Sequence, residues 1–133
     1  MNIVSFCFRL ILLNKLLEDG NTLYRKNRFE EAAHRYQYAI KRCPTEDKET
    51  FEQLKVHLYL NLSRCKRKQS LYAEAVELAS EVLRFRPNSL EAMHARARAY
   101  RSASAISLLG GFVTGFGKTI SIYDNKLINI CSL

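Results

Sequence analysis

The sequence predicts an all-α protein, a helix-turn-helix solenoid of about two and a half repeats that ends in an irregular C-terminal tail. Three observations predict it. First, the chain repeats. A step of 43 residues carries Gly20 onto Ser63, Phe29 onto Tyr72, Glu31-Ala32 onto Glu74-Ala75 and Ala39 onto Val82, and a further step of 34 carries Ser63 onto Ala97 and Arg64 onto Arg98. Second, the small residues are spaced for close-crossing hairpins. Gly20 and Ala32 would face each other where two helices cross, with Leu23, Phe29 and Tyr36 filling the space on either side. Third, Pro44 and Pro87 recur at the same step and close their helices, because proline restricts the residue before it and cannot extend the hydrogen-bond ladder.

Each element follows in order. The first helix runs from the extreme N-terminus to about Lys26, "KNR" makes the turn, and Phe29 to Arg42 forms the partner helix. "CPTEDKET" is a loop in which Thr45 or Asp47 can cap the next helix. Nine residues are inserted here relative to a 34-residue step, and "ETFEQLK" is good helix former, so the insertion lengthens the third helix backward. That helix continues to about Lys68, "QSLY" turns, and Ala73 to Phe85 forms the fourth. Asn88 or Ser89 caps a fifth helix from Leu90 to roughly Arg101, which can persist through "SASAISLL" to Gly110-Gly111. Beyond it the residues are glycine-broken, β-branched and almost uncharged. The domain reading is therefore an apolar helix extension over 1–12, a repeat domain over 13–109, and a poorly ordered tail over 110–133. Met93, Ala97 and Tyr100 would lie on a face lacking its covering helix, which opens a route to self-association.

At 133 residues the chain is one domain's worth. Its net charge of +8 invites an acidic partner or a nucleic acid. The four cysteines, Cys7, Cys43, Cys65 and Cys131, form no C-x-x-C pair and have no histidine at ligand spacing, so neither a metal nor another cofactor is expected. Small buried thiols in helices suit a reducing, intracellular compartment. "MNIVSFCFRLILL" is apolar but is interrupted by Arg9 and lacks a basic leader or a cleavage site. It reads as an extension of the first helix packing on the second, too short to span a bilayer. In "GGFVTGFGKT" the glycine that a phosphate-binding loop requires falls on Phe112, and no strand precedes it. His34, His57 and His94 are isolated, and the glutamates sit at helix starts and on helix faces, so nothing supports an enzyme.

The pattern resembles the tetratricopeptide repeat over about residues 13–101, with small residues at Gly20, Ala32 and Ala39 and proline at Pro44, answered by Ser63, Ala75, Val82 and Pro87. The stretches "RYQYAIKRCP", "LKVHLYLNLSRCKRK" and "EAMHARARAYR" are more specifically similar to the repeat region of the TANC and rolling pebbles scaffolds, which also carry ankyrin repeats and a coiled coil. That resemblance implies one interaction module of a longer scaffold, of which this chain is a fragment or short form. It also implies a site beneath the plasma membrane, postsynaptic or at myoblast fusion.

The resemblance places the first helix of each hairpin on a concave, partner-binding face. The candidate residues are Asn21, Tyr24 and Arg25 in the first repeat, Asn61, Arg64, Arg67 and Lys68 in the second, and Arg98 and Arg101 in the third. Arg64 and Arg98 would stand side by side and pair with carboxylates or phosphates, while the asparagines hold backbone groups. The expected ligand is an acidic peptide segment. Chaperone-binding relatives grip a C-terminal carboxylate with two asparagines and three cations. Here the asparagines are Asn21 and Asn61, but the cation positions read Leu17, Glu91 and Ala95. Nucleic-acid binding by the same face is the third reading, disfavoured because Tyr24 alone is placed for stacking.

Overall fold

The structure, a computed structural model, describes residues 3–45 and 48–108. Over these residues it is all-helical: α1 (Ile3–Arg25), α2 (Phe29–Arg42), α3 (Lys48–Lys68), α4 (Tyr72–Phe85) and α5 (Leu90–Leu108). Neighbours in sequence pack against each other, and α3 also touches α1 and α5. This is the arrangement of a tetratricopeptide-like solenoid. Asp47, the phosphate-loop lookalike, Cys131 and the tail over 110–133 lie outside the described residues.

The hairpin turns are built alike. Asn27 and Ser70, one repeat step apart, both adopt a left-handed conformation, with φ of 60° and 63°. Each ends its helix with two backbone bonds. Arg28 N–H reaches the Leu23 carbonyl at 3.0 Å and Asn27 N–H that of Tyr24 at 2.9 Å, while Leu71 reaches Lys66 at 2.8 Å and Ser70 reaches Arg67 at 3.1 Å. These satisfy carbonyls that a helix C-terminus otherwise leaves open. Cys43 and Arg86, each before a proline, leave the helical region with ψ of 130° and 79°. Ser89 Oγ accepts from Ala92 N–H at 3.3 Å, so of the two caps proposed for the fifth helix the serine makes the bond.

The core has two parts joined through α3. On one side Leu54, Leu58, Leu62 and Cys65 meet Leu13 and Leu16 of α1 and Ala32, Tyr36 and Ala39 of α2. On the other, Val56 and Leu60 meet Val82 of α4 and Ala92 of α5. Two hairpin crossings illustrate the small-residue rule. Ser63 Oγ donates to the Ala75 carbonyl at 2.7 Å in a buried contact. In the first repeat the tightest neighbour of Gly20 is the Tyr36 ring: a Cβ there would lie 2.4 Å from Cε1.

Three expectations need correction. The apolar N-terminal stretch does not pack wholly on α2. Phe6 stacks edge-on against Phe51 of α3, at a centroid distance of 5.3 Å, while Ile3, Val4, Phe8 and Ile11 are exposed. The third helix, lengthened by the insertion, supplies Phe51 for this contact. The face of α5 containing Ala97 is not bare. Ala97 is buried, with Met93 and Tyr100 half-buried. Cys43 is the C-cap of α2 and half-buried rather than inside the helix, whereas Cys65 is fully buried. No described helix is long and apolar enough to cross a membrane.

Candidate functional site

The first helices of the hairpins, α1, α3 and α5, bring most of the candidate residues into two adjoining clefts. The first, about 250 Å³, is lined by Asn21, Tyr24, Arg25, Tyr36, Asn61 and Arg64. The second, about 230 Å³, is lined by Arg64, Arg67, Glu91, His94 and Arg98, with Ser63, Leu90 and Ala95. Arg64 lines both and is the residue that the two clefts share.

A chain of hydrogen bonds orders the first cleft. The Tyr36 hydroxyl donates to Asn21 Oδ1 at 2.7 Å, and Asn61 Nδ2 donates to the same oxygen at 3.1 Å. Arg64 Nη1 donates in turn to Asn61 Oδ1 at 3.3 Å. Asn21 Oδ1 therefore has both lone pairs occupied, and its amide NH2 is what remains for a ligand. Burial pushes the Tyr36 phenol well above the usual tyrosine range, with smaller contributions from its neighbours, so the hydroxyl stays a donor. The cleft thus offers mainly donors: two amide NH2 groups and the guanidinium of Arg64.

The other candidates sit as follows. Tyr24 borders the first cleft, but its ring packs edge-on against Phe29 at 5.1 Å. Arg25 donates to Thr22 Oγ1 at 3.2 Å. Arg67 of α3 and Arg98 of α5 both line the second cleft, together with Glu91. Lys68 turns away, its ammonium 5.9 Å from the centroid of the Phe29 ring, and lines neither cleft. Arg101 is exposed at the next turn of α5 beyond Arg98 and lines neither cleft. Leu17 and Leu60, which the tetratricopeptide resemblance would put on the concave face, are buried in the core instead. Tyr36 is the participant that sequence reasoning assigned to the core alone. It is both, since the ring is buried and only the hydroxyl reaches the cleft. A tyrosine rather than a phenylalanine opposite Asn21 was the available signal. Among the described residues no group of histidine, cysteine and carboxylate side chains could hold a metal ion.

No family model matches the chain, and no solved structure matches it. It is similar to aryl-hydrocarbon-interacting protein-like 1 of Bos taurus, 34% identical over 91 residues that cover 62% of this chain and 28% of the relative. The Mus musculus counterpart is 36% identical over the same length and shares. A DnaJ homolog subfamily C member 3 of Mus musculus is 32% identical over 88 residues, covering 66% of this chain and 16% of the relative. The chain therefore spans about a quarter or less of the length of these relatives. Together with the helical hairpins, these matches support a tetratricopeptide-type helical repeat.

Proposed function

We propose that the chain is a protein-interaction module whose concave groove binds an acidic peptide segment. The observation that carries this reading is the hydrogen-bonded row Tyr36–Asn21–Asn61–Arg64 running into Arg67 and Arg98. A row that has committed its amide oxygen and presents NH2 and guanidinium groups selects acceptor-rich ligands. Peptide carbonyls suit the asparagines, and carboxylates suit Arg64 and Arg98. Glu91, on the wall of the second cleft, opposes a terminal carboxylate there, and buried Leu17 cannot supply the cation that a chaperone-tail clamp needs. An internal acidic segment fits the charges better than a chain terminus does. The setting we propose is one repeat module of a longer scaffold of the TANC and rolling pebbles kind.

Fluorescence anisotropy of a labelled acidic peptide pool tests this reading. The wild-type chain is expected to bind saturably, and the Arg64→Glu/Arg98→Glu double variant to lose binding by more than tenfold. Each charge-assisted bond removed contributes about 1.5–3 kcal/mol. Equal binding by wild type and double variant would sink the groove reading.

A further inference from the structure

We propose that the outward face of α2 is a second, separate binding site, one for single-stranded nucleic acid. The helix turns Ala32, Ala33, Tyr36 and Ala39 into the core. By the same period His34, Arg35, Tyr38, Lys41 and Arg42 face solvent, on the side opposite the buried row. Both carboxylates of α2 lie in its first turn, and Glu31 is already held by Arg28 at 2.6 Å. From His34 to Arg42 the helix carries no acid. Among the described residues Arg35, Lys41 and Arg42 form no ion pair.

The second observation is an aromatic platform inside this basic stripe. Tyr38 is 46% exposed, with the Arg42 guanidinium 4.1 Å from its ring centroid. An open cleft of about 710 Å³ runs along the helix from Leu23 and the paired Arg28 and Glu31, past His34 and Arg35, to Tyr38 and Lys41. Cations that track phosphates, beside an exposed ring and a stacked guanidinium plane, are what unpaired bases need. An acidic peptide would use the cations but has no use for the ring. A duplex would use the cations too, but its base faces are stacked and closed to Tyr38. The concave groove has the opposite character: Tyr36 is buried there and Tyr24 is packed against Phe29. The nucleic-acid reading that the sequence attached to the groove thus finds its stacking residue on the other helix of the hairpin.

The test is anisotropy of a labelled oligouridylate of about ten nucleotides, with far-ultraviolet circular dichroism confirming that every variant is folded. Tyr38→Ala is expected to weaken binding about tenfold, and Tyr38→Phe, which keeps the ring, to bind within about twofold of wild type. Arg35→Glu/Lys41→Glu is expected to abolish measurable binding. Arg35→Ala/Lys41→Ala is expected to make the salt dependence shallower by about 1.4 in log–log slope, two phosphate contacts at about 0.7 each. Arg64→Glu/Arg98→Glu is expected to leave oligouridylate binding unchanged, and saturating oligouridylate is expected not to displace the acidic peptide. The proposal is overturned if wild type fails to bind, if Tyr38→Ala binds as wild type does, or if the loss follows the groove variant instead. It is equally overturned if a duplex of the same length, or phosphatidylserine vesicles, are bound at least as well as the single strand.

Discussion

Gly20 and Tyr36 form a matched pair, and the match explains why a helix interior tolerates a glycine. Alanine at position 20 would improve helix propensity by about 1 kcal/mol, but its Cβ would lie 2.4 Å from a ring atom of Tyr36, which is itself 1% exposed and hemmed in. The ring would have to move, and its hydroxyl bond to Asn21 would move with it. Overpacking costs about 1–3 kcal/mol, so the clash wins. Gly20→Ala is expected to lower Tm and to weaken peptide binding together, measured by thermal melts and by the anisotropy titration. The second repeat shows the reverse case. The residue one step on from Tyr36 is Ala79, which is small and fully buried, and there Ser63 is accommodated in place of glycine. Nothing in either position alone reveals this. Small residues at 20 and 63 were legible, but which large side chain demanded the smaller one was a question of packing.

At the scale of elements, the two turns are the same device with different residues. A left-handed residue after the helix suits glycine, and asparagine tolerates it better than serine does. Ser70, at φ 63°, therefore carries more strain than Asn27. Ser70→Gly is expected to raise stability by about 0.5–1 kcal/mol, or about 2–8 °C in Tm for a domain of this size. Asn27→Gly should give less, and thermal melts of the two single variants order them. A Ser70→Gly chain no more stable than the parent would remove the strain argument. The two departures from the regular repeat belong together at this scale. The long start of α1 and the lengthened start of α3 meet at Phe6 and Phe51. The α3 extension is also clamped from α4, where Arg86 donates to Glu52 at 2.5 Å and to Gln53 at 2.6 Å. The insertion was legible as extra helix. Its partners were not, because they lie about 34 residues or more away in the chain.

For the molecule as a whole, α3 joins both parts of the core, so groups buried against it report on overall stability. Burial pushes the Cys65 thiol from 9.0 up to about 12, and burial likewise raises the Tyr36 phenol. Below pH 9 both states hold these protons and stability is complete. As pH rises past 9 the unfolded thiol ionises while the folded one remains neutral, so stability falls, by on the order of 1 kcal/mol per pH unit up to the folded value. Tyr36 adds to the fall from about pH 10. Urea midpoints are therefore expected to drop steeply between roughly pH 9 and 10.5, and Cys65→Ala to show a shallower drop from a lower starting stability. A parent chain whose midpoint is flat over that range would contradict the buried-thiol account. The charge excess also acts at this scale. With +8 distributed over the chain, the two clefts that share Arg64 and the outer face of α2 both present cations, and it is the neighbouring groups that distinguish them.

The sequence by itself determined the class of fold, the helix order and the repeat step, because these rest on local propensity and on spacing that recurs along the chain. The grouping of Asn21, Asn61, Arg64 and Arg98 came from the resemblance to the tetratricopeptide repeat, which implies that the first helices share one face. Only the tertiary structure decided which of the concave-face positions stay accessible. Leu17 and Leu60 are drawn into the core, Lys68 swings to Phe29, and Tyr36 sends its hydroxyl into the cleft while its ring stays buried. It also decided that Ala97 is covered and that Ile3, Val4, Phe8 and Ile11 are not. The physical reason is the same in each case. Periodicity assigns a residue to a face of its own helix, but accessibility depends on how closely the next helix approaches, and that distance is set by side chains from elsewhere in the chain.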